Sequence, residues 1–179
     1  IIAFVVLMIL AVIGTLIIWR VAENAPVDSF RLRRILVWKD PEKYITEGGY
    51  QVMQALYAIG SGGIWGKGLG QSMQKLSFIP EAQNDMIFSI ICEELGLFGA
   101  IAIMVLFIML IWRFILVAGN AVDLYGALIV TGVITHISVQ VILNIAVVTN
   151  TIPNTGLTLP FISYGGSSLF FLLAEIGMV

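Results

Sequence analysis

Residues 61–99 read SGGIWGKGLGQSMQKLSFIPEAQNDMIFSIICEELGLFG. This stretch is neither a clean membrane span nor an ordinary polar loop. Its first part carries Gly62, Gly63, Gly66, Gly68 and Gly70, and Lys67 and Lys75 then lead to Pro80. A carboxylate, Asp85, stands where a long apolar run begins, and Glu93 and Glu94 lie inside that run. An Asp-like charge within a membrane helix costs about 2.5–3.5 kcal/mol on insertion scales, so such carboxylates are usually paired or put to use. The segment therefore marks a place where something is bound or transformed.

The rest of the chain confirms a bilayer setting. Of its 179 residues 59% are hydrophobic and 11% charged, with a mean hydropathy of +1.02. Soluble domains are typically about half apolar and about a quarter charged. The fold class expected is all-α, a polytopic integral membrane protein. The chain opens on Ile1 without an initiator methionine and closes on Val179 inside another apolar run, so it reads as a fragment of a longer polytopic protein. Cys92, the single cysteine, has no internal disulfide partner and reads as a small packing residue.

Taken in order, residues 1–19 are long enough to cross a bilayer and end on Trp19 and Arg20, an interfacial pair. Residues 20–84 form a long loop. Within it RLRRILVW, from Arg31 to Trp38, suits a short amphipathic helix on the membrane surface, and Gly49 to Ile59 predicts a second short helix. Further spans are predicted at about 86–112, 124–148 and 169–179, separated by a turn at 117–123 and a second loop at 149–168. Asn84 and Asp85 are natural N-cap residues for the second span. The third carries His136, Gln140 and Asn144 at i, i+4 and i+8, a polar stripe that should face protein. The second loop, TNTIPNTGLTLPFISYGGSS, has two prolines and three glycines at a membrane boundary. Irregular backbone at that depth is tolerated where it is buried in protein or lines a cavity.

Eight of the nine basic residues fall between the first and second spans, and Arg113 alone marks the opposite side. The positive-inside rule weakens for loops beyond about 60 residues, so charge leaves the orientation open. Asp85 can be an N-cap and a general base at once, because the helix dipole favours the ionised carboxylate that a base requires. Glu93 and Glu94 read first as partners of buried donors, and His136 as a bundle histidine rather than a metal ligand. There is no zinc-type spacing, P-loop or nucleophile elbow, and the glycines of 60–70 do not follow a strand. Arginines on a membrane-surface segment facing a carboxylate suit an anionic lipid headgroup, since guanidinium grips phosphate oxygens in a bidentate fork.

Two blocks carry a resemblance. Gly49 to Gly99 (GYQVMQALYAIGSGGIWGKGLGQSMQKLSFIPEAQNDMIFSIICEELGLFG) and Ile152 to Ser168 (IPNTGLTLPFISYGGSS) closely resemble the SEDS family, whose members include FtsW, RodA and SpoVE. The likeness covers essentially the whole chain and matches the C-terminal half of a ten-helix member. Gln51 in GYQ and the uninterrupted QKL, Gln74 to Leu76, resemble the division and sporulation branch more than the elongation branch. Where many members have P-V-T-G or P-T-K-G, this chain has Pro153-Asn154-Thr155-Gly156, so no lysine role carries over to that loop.

The resemblance implies a single partial membrane domain over 1–179: about four transmembrane helices of a ten-helix bundle, with loops 20–84 and 149–168 outside the cytoplasm. It implies a peptidoglycan glycosyltransferase of the bacterial plasma membrane that polymerises lipid II, with a class B penicillin-binding transpeptidase as partner, membrane lipid around it and no nucleic acid. The family's essential aspartate falls on Asp85 of PEAQNDMIF, with Met86 in place of the family's Phe. Its paired arginines ahead of a W-x-D-P turn match Arg31 and Arg34. Gln51, Lys75, Ser163, Gly165 and Gly166 complete the candidate substrate-binding set, and Glu93, Glu94, Pro153, Gly156 and Pro160 the supporting one. No metal ligand is assigned; a divalent cation, Mg or Mn, is admitted beside the basic residues as counter-charge for a leaving pyrophosphate. Two other classes compete: a lipid-linked precursor flippase, and a non-catalytic scaffold for a transpeptidase. A flippase should tolerate loss of Asp85 but not of its intramembrane carboxylates, and a scaffold should tolerate both.

Overall fold

The computed structural model describes residues 30–74, 79 and 82–179. Among them the chain is all-helical: α1 (Phe30–Lys39), a 3-10 turn (Ile45–Glu47), α2 (Gly49–Gly62), α3 (Ile87–Gly119), α4 (Leu124–Val148) and α5 (Gly166–Gly177). The first expected span, 1–19, lies outside the described residues, as do Lys75 and Pro80.

α3 and α4 are long and apolar enough to cross a membrane, with mean hydropathies of 2.8 and 1.9 over their most apolar windows. Their outer faces carry exposed Leu106, Ile108, Met109, Trp112, Leu128 and Ile142, as lipid or neighbouring helices would require. Their contact is a seam with a seven-residue repeat. Ala100, Phe107 and Phe114 are buried on α3, and Val130, Ile137 and Asn144 on α4. A 3.5-residue period keeps one stripe of each helix facing the other. α4 has the bounds expected from sequence. Asp123 caps it, its Oδ1 accepting from Gly126 N at 3.2 Å. α3 runs past Arg113 to Gly119, where the Asn120 side chain donates to Leu116 O at 2.7 Å. A single exposed arginine does not end an otherwise apolar helix, because its long side chain reaches polar surroundings.

α3 is broken near its start. Gly96 has φ 66° and ψ −160°, a conformation that only glycine adopts readily. The 23 residues after the break, 97–119, rise about 35 Å at ~1.5 Å each and could cover the ~30 Å hydrocarbon core unaided. A helix break strands backbone groups, and here the glycine-rich loop satisfies them. Lys67 N donates to Glu93 O and Gly68 N to Glu94 O, both at 2.9 Å, while Leu97 N donates to Gly63 O at 3.0 Å. Cβ atoms on Gly62, Gly66 or Gly96 would each run into backbone across this junction. Gly62, Gly66 and Gly96 thus let loop and broken helix touch main chain to main chain, whereas a Cβ on Gly63 or Gly70 would meet nothing within 4 Å. Trp65 then stacks on Phe98, with centroids 5.0 Å apart.

The expected capping of α3 by Asn84 or Asp85 is not what forms. The residue flanking the helix is Met86, which makes no side-chain cap. Met86 is instead buried in the core, and Ser89 closes the first turn by donating from Oγ to Met86 O at 2.7 Å. Asp85 lies one residue earlier in a turn, where tertiary partners hold it.

Candidate active site

Asp85 is half-buried at the meeting point of both loops and the end of α4. Gln51, on α2, donates from Nε2 to Asp85 Oδ1 at 3.3 Å. Asn144, on α4, donates from Nδ2 to the Asp85 carbonyl at 2.9 Å and to Leu157 O at 2.7 Å. Tyr164 N donates to Gln83 O at 2.8 Å, a direct main-chain bond between the two loops.

A second set of bonds joins α1 to the far loop. Trp38 Nε1 donates to Asn150 O at 2.9 Å, and Arg34 Nη1 to Asn154 O at 3.1 Å. Asn150 takes φ 55°, a left-handed conformation that asparagine tolerates better than most residues. Between these elements lies a cavity of about 190 Å³ whose lining includes Arg33, Arg34, Trp38, Gln51, Asn150 and Asn154. Gln51 is the shared residue: it borders the cationic cavity and touches the carboxylate.

Glu93 serves the scaffold. Its side chain is fully buried and receives Lys67 Nζ at 2.6 Å, Ser72 Oγ at 2.5 Å and Ser61 Oγ at 3.4 Å. The pair thus ties the glycine-rich loop to the first segment of α3 through side chains as well as backbone. Glu94, one residue on, is half-buried rather than enclosed, as its different helical direction requires. The polar stripe of α4 faces protein only toward its C-terminal end: Asn144 is fully buried and Gln140 half-buried, whereas His136 is exposed. His136 Nδ1 meets Glu175 Oε2 at 2.9 Å, and Gln140 donates to Thr158 O at 3.0 Å.

The family model for FtsW, RodA and SpoVE, described as cell cycle protein, matches residues 1–179. This chain belongs to that family. It is 49% identical over 150 residues to stage V sporulation protein E of Bacillus subtilis (strain 168), covering 84% of this chain and 41% of that protein. It is 44% identical over 179 residues to the FtsW of Coxiella burnetii (strain RSA 493 / Nine Mile phase I), named a probable peptidoglycan glycosyltransferase, covering 98% of this chain and 46% of that one. A chain from a solved peptidoglycan synthase complex, described by its structural coordination of polymerization and crosslinking, superposes with a TM-score of 0.71. That match has 30% identity and covers 99% of this chain and 47% of the other. The chain thus spans less than half the length of these relatives.

Within this FtsW/RodA/SpoVE half, the structure brings Asp85, Gln51 and Arg34 to one region and adds Arg33, which the sequence offered only as one of a basic set. The side chain of Arg31 and all of Lys75 lie outside the described positions. Ser163 holds its own loop, its Oγ accepting from Leu159 N at 2.7 Å. Pro160 is fully buried, and Gly156 needs its φ of 71° for the turn in which Asn154 Oδ1 accepts from Gly156 N at 2.9 Å. Gly165 is extended at φ −168°, Gly166 is not left-handed, and a Cβ on Gly166 would meet nothing within 4 Å. The left-handed glycine of this loop is Gly156. Missed in the sequence were Asn150 and Asn154, whose carbonyls receive the α1 side chains; no local pattern marks a main-chain acceptor.

Among the described residues, no three His, Cys, Asp or Glu side chains converge as a metal-ligand set. Gln51 and Asn144 bring side-chain amides to Asp85, so among the described residues its carboxylate is the one ligand of a kind that Mg or Mn, commonly held by one or two carboxylates plus substrate phosphates, would use there.

Proposed function

We propose that the chain is the C-terminal, loop-bearing half of a peptidoglycan glycosyltransferase that polymerises lipid II, with Asp85 as general base. The observation carrying this reading is Gln51, which lines the Arg33–Arg34 cavity and hydrogen-bonds Asp85 Oδ1 at 3.3 Å. A base and a cationic pocket side by side suit a reaction that deprotonates a hydroxyl and releases an anionic lipid. The GlcNAc 4-hydroxyl attacks the MurNAc anomeric carbon, its proton passes to Asp85, and the bond to the lipid pyrophosphate breaks with its electron pair. An α-linked donor giving a β-linked product requires one inversion, so a single base suffices. General-base assistance is typically worth about 10²–10⁴-fold. Arg33 and Arg34 stabilise the departing pyrophosphate, where arginine's fixed fork matches the phosphate oxygens. The names of the relatives, one a probable peptidoglycan glycosyltransferase, support the same reading.

In this reading the protein sits in the bacterial plasma membrane as part of a ten-helix bundle, with both loops on the extracytoplasmic face. A class B penicillin-binding transpeptidase crosslinks the strands it makes. The deciding experiment uses the full-length protein and purified lipid II. Asp85→Asn keeps shape and polarity but cannot take the proton, and polymer formation should fall at least a hundredfold with membrane insertion intact. Near-normal polymer would remove Asp85 as the base and reopen the flippase and scaffold alternatives.

A further inference from the structure

Asn144 is fully buried in a seam otherwise built from Val130, Ile137 and Val141. Among the described residues its buried Oδ1 has no hydrogen-bond partner. A buried amide with an unsatisfied oxygen is unfavourable, and an isosteric leucine would pack there without that penalty. What the amide offers in exchange is its NH₂ group. Both N–H bonds leave the helix, one to Asp85 O 59 residues away and one to Leu157 O 13 residues away. One side chain on a rigid helix therefore grips the main chain of the carboxylate turn and of the second loop together. The nearby Tyr164 N to Gln83 O bond closes the same two segments 2.8 Å apart.

We infer that Asn144 is a positioning residue for the transfer reaction, setting the main chain at Asp85 against the second loop so that the carboxylate stands beside the Arg33–Arg34 cavity. It touches neither substrate nor proton; it acts through Asp85. The inference rests on the reading of Asp85 as base. A base displaced by even an ångström loses effectiveness, because proton transfer needs hydrogen-bond reach in the reacting complex. Loss of the clamp should therefore lower turnover and leave binding of the lipid-linked donor unchanged.

The test is a double-mutant cycle in the full-length protein, read with purified lipid II. Asn144→Leu should lower kcat at least tenfold while KM stays within twofold. Added to Asp85→Asn, it should lower the residual rate no further, since the residue acts only through that carboxylate. A cysteine pair at Gln83 and Tyr164 supplies a readout free of catalysis: its crosslinking yield should fall severalfold in the Asn144→Leu background. Asn144→Thr keeps one hydroxyl donor and should give an intermediate kcat, and it serves alone if the leucine variant does not insert. Wild-type kcat in Asn144→Leu or Asn144→Thr overturns the inference, as does an equal loss in the Asp85→Asn background or an unchanged crosslink. If Asp85→Asn itself keeps normal turnover, the base assignment has failed instead, and the two failures are told apart by which single variant is active.

Discussion

Replacing Gly96 with alanine is the sharpest perturbation of the scaffold that holds the candidate site. At φ 66° and ψ −160° any L side chain is strained by about 1–3 kcal/mol. The new Cβ would also run into Gly66 N and Ile64 O, which are main-chain atoms and cannot rotate away. Relief requires the loop to retreat, which breaks the Lys67–Glu93, Gly68–Glu94 and Leu97–Gly63 backbone bonds. At about 1 kcal/mol net each, their loss brings the local penalty to roughly 4–6 kcal/mol. A penalty of about 4 kcal/mol shifts a local opening equilibrium about a thousandfold, at 1.4 kcal/mol per decade. Cys92 reports that opening, because it is 6% exposed under this junction. In full-length protein lacking other reactive cysteines, a soluble maleimide should label Cys92 at least a hundredfold faster in Gly96→Ala. Polymerisation should fall with it. Gly60→Ala is the control: that glycine is helical and exposed, and its Cβ would meet nothing within 4 Å. Labelling of Gly96→Ala as slow as that of the control would refute the docking of loop on helix break.

Glu93→Ala should destabilise the protein by about 3 kcal/mol, the low end for breaking a buried pair, because Lys67 is 35% exposed. Thermal unfolding in detergent measures this, and Glu93→Gln should recover part of it through Ser72; equal stability of all three proteins would deny Glu93 its scaffold role. Arg34→Lys retains charge but not the planar fork, so lipid II turnover should stay several-fold below wild type, and full rescue would make Arg34 only a point charge. Gly156→Ala should lower stability by about 1 kcal/mol through its left-handed backbone, whereas Gly166→Ala should be neutral, and the reverse order in thermal unfolding would contradict the loop geometry.

Hydrophobic patterning decided the class of this protein before any coordinates. Composition alone marks a bilayer protein, and α4 has the bounds its apolar run predicts because both ends are local events: Asp123 caps one, and the run stops at Val148. The short helix α1, the burial of Asn144 at the inner end of the polar stripe and the structural pairing of Glu93 were legible from the same kind of pattern. Each follows from the cost of leaving a polar group in an apolar setting. Motif likeness supplied Asp85 and the family, but not the arrangement around the carboxylate.

Tertiary structure decided the rest. Five glycines between 62 and 70 mark an unusual loop, yet nothing local says that Gly62 and Gly66 are the ones pressed against backbone, or that the broken chain at Gly96 is what meets Gly66. Asp85 reads as a helix cap because capping is a short-range rule. In the folded chain Gln51 takes its side chain and Asn144 its carbonyl, so the cap never forms. The bond from Arg34 to Asn154 spans 120 residues and that from Asn144 to Asp85 spans 59. Periodicity fixes which face of a helix is buried, whereas a main-chain carbonyl that receives a distant side chain has no residue type. That part of the site exists only once the helices have packed.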